Sequence, residues 1–61
     1  MTKLLDIAEA AERLHVKERF IRRLVAEKRM PYYKVGSFVR FDPADIDEWL
    51  VRQRVERSEA S

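Results

Sequence analysis

Apolar positions recur at helical spacing in three stretches of the chain, and in a fourth they follow the rhythm of paired strands. Ile7, Ala10, Ala11 and Leu14 fall three and four residues apart, the mark of a short amphipathic helix. Asp6 and Glu9 before and within its first turn form a capping-box pattern, each able to satisfy the other's backbone amide. Ala10 and Ala11 are small where a second helix must come close. Lys3-Leu4-Leu5 ahead of it reads as an extended lead-in with its leucines turned onto the core.

His15 and Val16 form a corner too short for anything but a turn. A residue just past a helix end often takes a left-handed conformation, which His tolerates better than most residues other than glycine. Val16 is the expected buried hinge. The second helix is expected to run from Lys17 to Arg29, KERFIRRLVAEKR, with Ile21, Leu24, Val25 and Lys28 on its inner face. Arg19, Arg22, Arg23 and Ala26 then occupy the far face. Lys17 lacks an acceptor and makes a poor N-cap, whereas Glu18 suits the positive end of the helix dipole. Met30-Pro31 ends the helix, because the residue before proline is driven out of helical geometry.

Tyr32 to Val35 and Phe38 to Phe41 are β-prone runs around Gly36-Ser37, the pattern of a two-residue hairpin. Gly36 is expected to supply the positive φ of a type II′ turn. Tyr33, Val35, Val39 and Phe41 are expected to face the core, leaving Lys34, Phe38 and Arg40 toward solvent or a ligand. Asp42 then caps a last helix with Pro43 in its first turn. Ile46, Trp49 and Leu50 make its apolar stripe; Asp45, Asp47 and Glu48 make its wet face. The fold class is mainly α with a small β-hairpin. One domain is expected over residues 1–53, followed by a frayed polar tail over 54–61.

Charge changes this picture more than composition does. The net value is only +2, but it is segregated. From Arg13 to Phe41 nine Lys or Arg oppose Glu18 and Glu27, whereas residues 1–12 and 42–50 are net acidic. A small domain with a basic middle and acidic flanks has a polarised field suited to a polyanion. A helix, a brief corner and an Arg-bearing second helix are the layout of a helix-turn-helix whose second helix enters a DNA groove.

Other classes find little support. At 61 residues the chain buries only about 60% of its unfolded-chain surface. It has no cysteine for a disulfide or thiolate site, and His15 lacks partners for zinc. No cofactor, metal or small-molecule ligand is expected. Neither a membrane-length apolar run nor the apolar core of a secretion signal is present, so a cytoplasmic location is expected. An enzyme is not expected: Tyr32 and Tyr33 lack the Arg and His setting of a recombinase tyrosine. Asp42, Asp45, Asp47 and Glu48 read as a cap and a solvated face.

The order of elements and their residues closely resembles the excisionase-type winged helix-turn-helix family, related to the DNA-binding heads of MerR-like regulators. Ala10-Ala11, Val16, Ile21, Leu24 and Val25 carry the likeness in the first half. Met30-Pro31, Tyr33 to Gly36, Arg40-Phe41, Ile46 and Trp49-Leu50 continue it, covering roughly residues 4–50. His15 and Lys17 depart from the family pattern, which has Gly at the corner and Ser or Thr opening the second helix. Lys17 can replace the missing hydroxyl–phosphate contact with a point charge.

The resemblance implies a small phage or plasmid protein, of the mycobacteriophage type in particular. Such proteins bind double-stranded DNA near attachment sites as several cooperating copies, bend it, and direct an integrase toward excision. A small MerR-like transcriptional regulator is the alternative within DNA binding, and an adaptor for an acidic protein the alternative outside it. In a winged domain the second helix lies in the major groove while the hairpin reaches the minor groove or backbone. The helix candidates are Lys17, Glu18, Arg19, Arg22 and Arg23. An Arg can bridge guanine O6 and N7 or clamp a phosphate, and Glu18 can accept from cytosine N4 or simply favour the dipole. In the wing the candidates are Lys34, Ser37 and Arg40, with Gly36 for the turn. Phe38 can enter the minor groove, cap the core edge or touch a neighbouring copy. The acidic last helix against a neighbour's basic surface suggests head-to-tail self-association on DNA.

Overall fold

Asp6 and Glu9 close the capping box that opens the first helix. The Glu9 amide donates to Asp6 Oδ1 at 2.8 Å, and the Asp6 amide to Glu9 Oε1 at 2.9 Å. Such a cap stabilises a helix by about 1 kcal/mol. In the computed structural model, which describes residues 3–55, five elements follow in order. They are α1 (Ile7–Leu14), α2 (Glu18–Ala26), β1 (Tyr33–Val35), β2 (Phe38–Arg40) and α3 (Pro43–Arg52). Three helices and a two-stranded antiparallel hairpin make a winged helix-turn-helix. The tail expected over 54–61 lies, from residue 56 onward, outside the described residues.

Ala10 and Ala11 are buried against α2, which brings the inner face of α2, with Ile21 and Leu24, into the core. Phe41, just past β2, and Ile46 and Trp49 of α3 complete it from the other side, with Met30 between. Phe41, Ile21 and Ile46 are fully enclosed, each contributing on the order of 1.5–3 kcal/mol through burial. Leu50, expected on the buried stripe of α3, is 47% exposed. With Trp49 it borders an open hollow beside Phe20 instead of closing the core.

Both helix ends of the helix-turn-helix are closed in the same way. His15 takes φ 58°, ψ 45°; its amide donates to the Glu12 carbonyl and that of Val16 to the Ala11 carbonyl. At the end of α2, Lys28 has φ 55°; its amide donates to Val25 and that of Arg29 to Leu24. Each is a Schellman motif with a left-handed residue where glycine is favoured. The left-handed corner at His15 is as expected, and Val16 is half-buried against the core. The second helix is shorter than expected: it ends at Ala26, not Arg29, so Lys28 leaves the inner face and lies exposed. The Schellman turn, not Pro31, ends it.

The hairpin turns at Gly36, φ 63°, where an added Cβ would meet nothing within 4 Å. Backbone geometry, not space, is what calls for glycine there. The register pairs Tyr33 with Arg40, Lys34 with Val39 and Val35 with Phe38. Residues paired across a ladder share a face. Tyr33 and Val35 therefore stand outward with Phe38 and Arg40, and the expectation that they face the core is corrected: they are 47% and 53% exposed. Val39 and Phe41 do turn inward. Leu5 adds a one-residue bridge to the wing's base, exchanging two backbone hydrogen bonds with Phe41 at 2.7 and 2.8 Å.

Asp42 caps α3 by accepting from the Ala44 amide at 2.8 Å, with Pro43 in the first turn. The Asp45 carboxylate beside Tyr33, with burial and Asp42 adding to it, pushes the Tyr33 phenol above its ordinary range. Arg13 NH2 reaches both carboxylate oxygens of Asp47 at 3.0 and 3.1 Å, linking α1 to α3. On an exposed surface such a pair is worth at most about 1 kcal/mol. Trp49 Nε1 donates to the Arg29 carbonyl at 2.7 Å, fixing the end of α2 to α3.

Candidate nucleic-acid interface

An amphipathic helix with a largely charged outer face presents α2's candidates together. Lys17, Glu18, Arg19, Arg22 and Arg23 are all exposed. Lys17 makes no side-chain cap bond, leaving its ammonium available to a phosphate. Among the described residues Arg19 has neither a hydrogen bond nor an ion pair, so no internal carboxylate offsets its charge. Arg22 NH2 lies 3.5 Å from Glu18 Oε1, one turn back. Arg23 Nε donates to Glu27 Oε2 at 3.2 Å, one turn on. Arg29 NH1 donates to the other oxygen of Glu27 at 3.1 Å. These two hydrogen bonds, Arg29 first and then Arg23, hold the Glu27 carboxyl below the usual carboxylate range.

The wing meets α2 at one of its flanks. An open groove of about 380 Å³ is bounded by Asp6 and Ile7 at the start of α1, Glu18 and Arg22 of α2, and Ser37, Phe38 and Arg40 of the wing. The structure thus brings five of the expected site residues to one concavity. Phe38 is 61% exposed with the Arg40 guanidinium 5.2 Å from its ring centroid. A cation over an aromatic face is attracted by the ring quadrupole. Arg40 NH1 also donates to the Val39 carbonyl at 2.8 Å, so Arg40 is held rather than free. Lys34 is exposed, as expected, but it is not part of this cluster: it pairs with Val39 and so stands on the other face of the ribbon from Phe38 and Arg40. Gly36 forms the tip and contributes its backbone.

A rod about 10–12 Å across with side chains fits the B-DNA major groove, about 12 Å wide. Among the described residues no other element covers the outer face of α2, and the wing stands to one side. A helix-turn-helix domain family matches residues 4–54, most of the chain. The chain belongs to that family. It is therefore a helix-turn-helix protein that binds DNA, and the helix-turn-helix itself is α1 and α2 across the His15 corner. No curated protein and no solved structure matches the chain. Among the described residues no helix is long and apolar enough to cross a membrane.

Sequence reasoning did not single out Glu27 and Arg29. A helix running on to Arg29 would set the two on well-separated sides of its wheel. The charges themselves were legible; the turn at Lys28 that folds Arg29 back toward Glu27 was not.

Proposed function

We propose that this helix-turn-helix protein is an excisionase-type architectural DNA-binding protein. In this reading α2 lies in the major groove, with Arg19, Arg22 and Arg23 on bases or phosphates and Lys17 and Glu18 at its leading end. The wing follows the adjacent backbone or minor groove through Ser37, Phe38 and Arg40. Lys34, on the other face of the ribbon, serves the flanking phosphates. Several copies bind side by side, bend the duplex and steer an integrase toward excision. The acidic face of α3 lies against the basic surface of the next copy. The protein performs no catalysis of its own and works in the cytoplasm of a bacterial host.

The observation that carries this reading is the convergence of Glu18 and Arg22 with Ser37, Phe38 and Arg40 on one groove. A helix and a wing that share a concavity can follow one duplex and hold it bent, because contacts on two grooves reward curvature. Footprinting on an attachment-site fragment, with bend analysis, tests it. Protection of adjacent sites with a bend is expected. Protection confined to a promoter would replace this reading with that of a transcriptional regulator. Neutralisation of about four or five phosphates predicts a slope of log K against log salt of roughly −4. A flat salt series would reject groove binding by the basic face.

A further inference from the structure

The segment after α2 is held more firmly than its position in a loop suggests. The Arg29 amide donates to the Leu24 carbonyl at 2.8 Å, and the Arg29 carbonyl accepts from Trp49 Nε1 at 2.7 Å. Met30, next in the chain, is buried in the core. The Arg29 backbone is thus pinned from both sides while its side chain is 60% exposed. On this rigid base the guanidinium turns back to Glu27. Arg23, one turn earlier on α2, reaches the same carboxylate, and each arginine takes a different oxygen.

Glu27 stands at the C-terminal end of α2, where the helix dipole disfavours an anion. The two guanidiniums offset that penalty and hold the carboxyl below the usual carboxylate range. Two arginines converging on two oxygens of one anionic group is also the geometry by which arginine takes phosphate oxygens. The pair lies on the flank of α2 away from the wing: Glu18 and Arg22 border the wing groove, whereas Arg29 borders a second hollow beside Phe20 and Trp49.

We propose that Arg23 and Arg29 form a phosphate clamp on that second flank, and that Glu27 occupies the clamp in the free protein until a backbone phosphate displaces it. The inference rests on the reading that the outer face of α2 meets DNA. Glu27 thereby restrains binding to any duplex, because every engagement must first exchange an internal ion pair for an external one. It also keeps both guanidiniums gathered where the phosphate arrives, so little side-chain freedom is lost on binding.

The test is titration of a mixed-sequence duplex of about 20 base pairs at several salt concentrations between about 50 and 200 mM. Arg29→Gln is expected to weaken binding about five- to tenfold at the low-salt end and to reduce the salt slope by about 1. Glu27→Gln, which removes the competing charge but keeps the side-chain length, is expected to tighten binding about fivefold. The gain should exceed that of Glu12→Gln, the same charge change on the exposed side of α1. It should largely vanish in the Glu27→Gln/Arg29→Gln double variant, since the two side chains act as a unit. A parental salt slope in Arg29→Gln, or a Glu27→Gln gain no larger than that of Glu12→Gln, overturns the clamp. If the parent itself binds the duplex without salt dependence, the interface reading falls as well and the clamp with it.

Discussion

Glu18 and Arg22 of α2 and Ser37, Phe38 and Arg40 of the wing border one groove, but the exposed faces of the two elements are built from different materials. On α2 and the turn after it most of the exposed charges are already engaged, Arg22 with Glu18 and Arg23 and Arg29 with Glu27. On the wing the outward face is Tyr33, Val35 and Phe38, apolar and largely uncovered, with Arg40 laid over the Phe38 ring. The helix therefore offers charge whose placement is set in advance, and the wing offers apolar surface that gains by being buried. The first contributes a salt-dependent attraction. The second contributes through shape and desolvation, which salt hardly alters.

That contrast can be broken most directly at one residue on each side. Arg19 has no internal carboxylate among the described residues, so its whole charge is available to the duplex. Arg19→Ala is expected to cost about 1–3 kcal/mol of binding and to lower the salt slope by about 1. Phe38→Ala is expected to weaken binding by a comparable or smaller amount at every salt concentration, leaving the slope in place. Parallel salt titrations of the two variants decide the matter. A reduced slope in Phe38→Ala would mean that the wing acts through Arg40's charge and that the ring only positions it.

A smaller effect should separate the two regions in stability. Trp49 anchors the end of α2 through the Arg29 carbonyl. Trp49→Phe keeps an aromatic ring in the core and removes that hydrogen bond, at a cost of about 1–3 kcal/mol. Urea unfolding should show a lower midpoint with an unchanged m-value. Amide exchange should quicken at Arg29 and Met30 more than at Val35 and Phe38. Equal acceleration in both places would show that helix end and wing open as one unit.

How much of this was legible in the sequence differs between the same two regions. The three helices, both side-chain caps, the Gly36 turn and the core at Ile21, Phe41, Ile46 and Trp49 follow from local rules of periodicity, acceptors and φ. The faces of the wing were legible as well, because a two-residue turn at Gly36-Ser37 already sets Val35 opposite Phe38 and so parts Tyr33 and Val35 from Val39 and Phe41. With Val35 opposite Phe38, the apolar character of Tyr33 and Val35 misled: hydrophobic side chains here line an exposed face. The end of α2 was misplaced for a different reason. Nothing in Glu27-Lys28-Arg29 resembles a glycine stop, yet Lys28 takes the left-handed turn, and Trp49 holds the Arg29 carbonyl just beyond it. Of the candidate site, the identities of the charges were legible, but their pairing through Glu27 depended on that turn.

The two left-handed residues provide the finest test of that difference, because they share a geometry and differ in surroundings. A side chain with a Cβ at positive φ costs about 1 kcal/mol relative to glycine, and both His15 and Lys28 bear it. His15→Gly should therefore stabilise the fold by about 0.5–1 kcal/mol, less the entropy that glycine adds to the unfolded chain. Lys28→Gly should gain less. It also removes a cation from the C-terminal end of α2, where the dipole favours one by about 0.3–1 kcal/mol. Urea midpoints of the two variants should rank His15→Gly above Lys28→Gly, with neither below the parent by more than a few tenths of a kcal/mol. The reverse order would place the larger strain at the end of α2. The turn that gathers Arg23 and Arg29 around Glu27 would then be held against the chain's own preference by the Trp49 anchor.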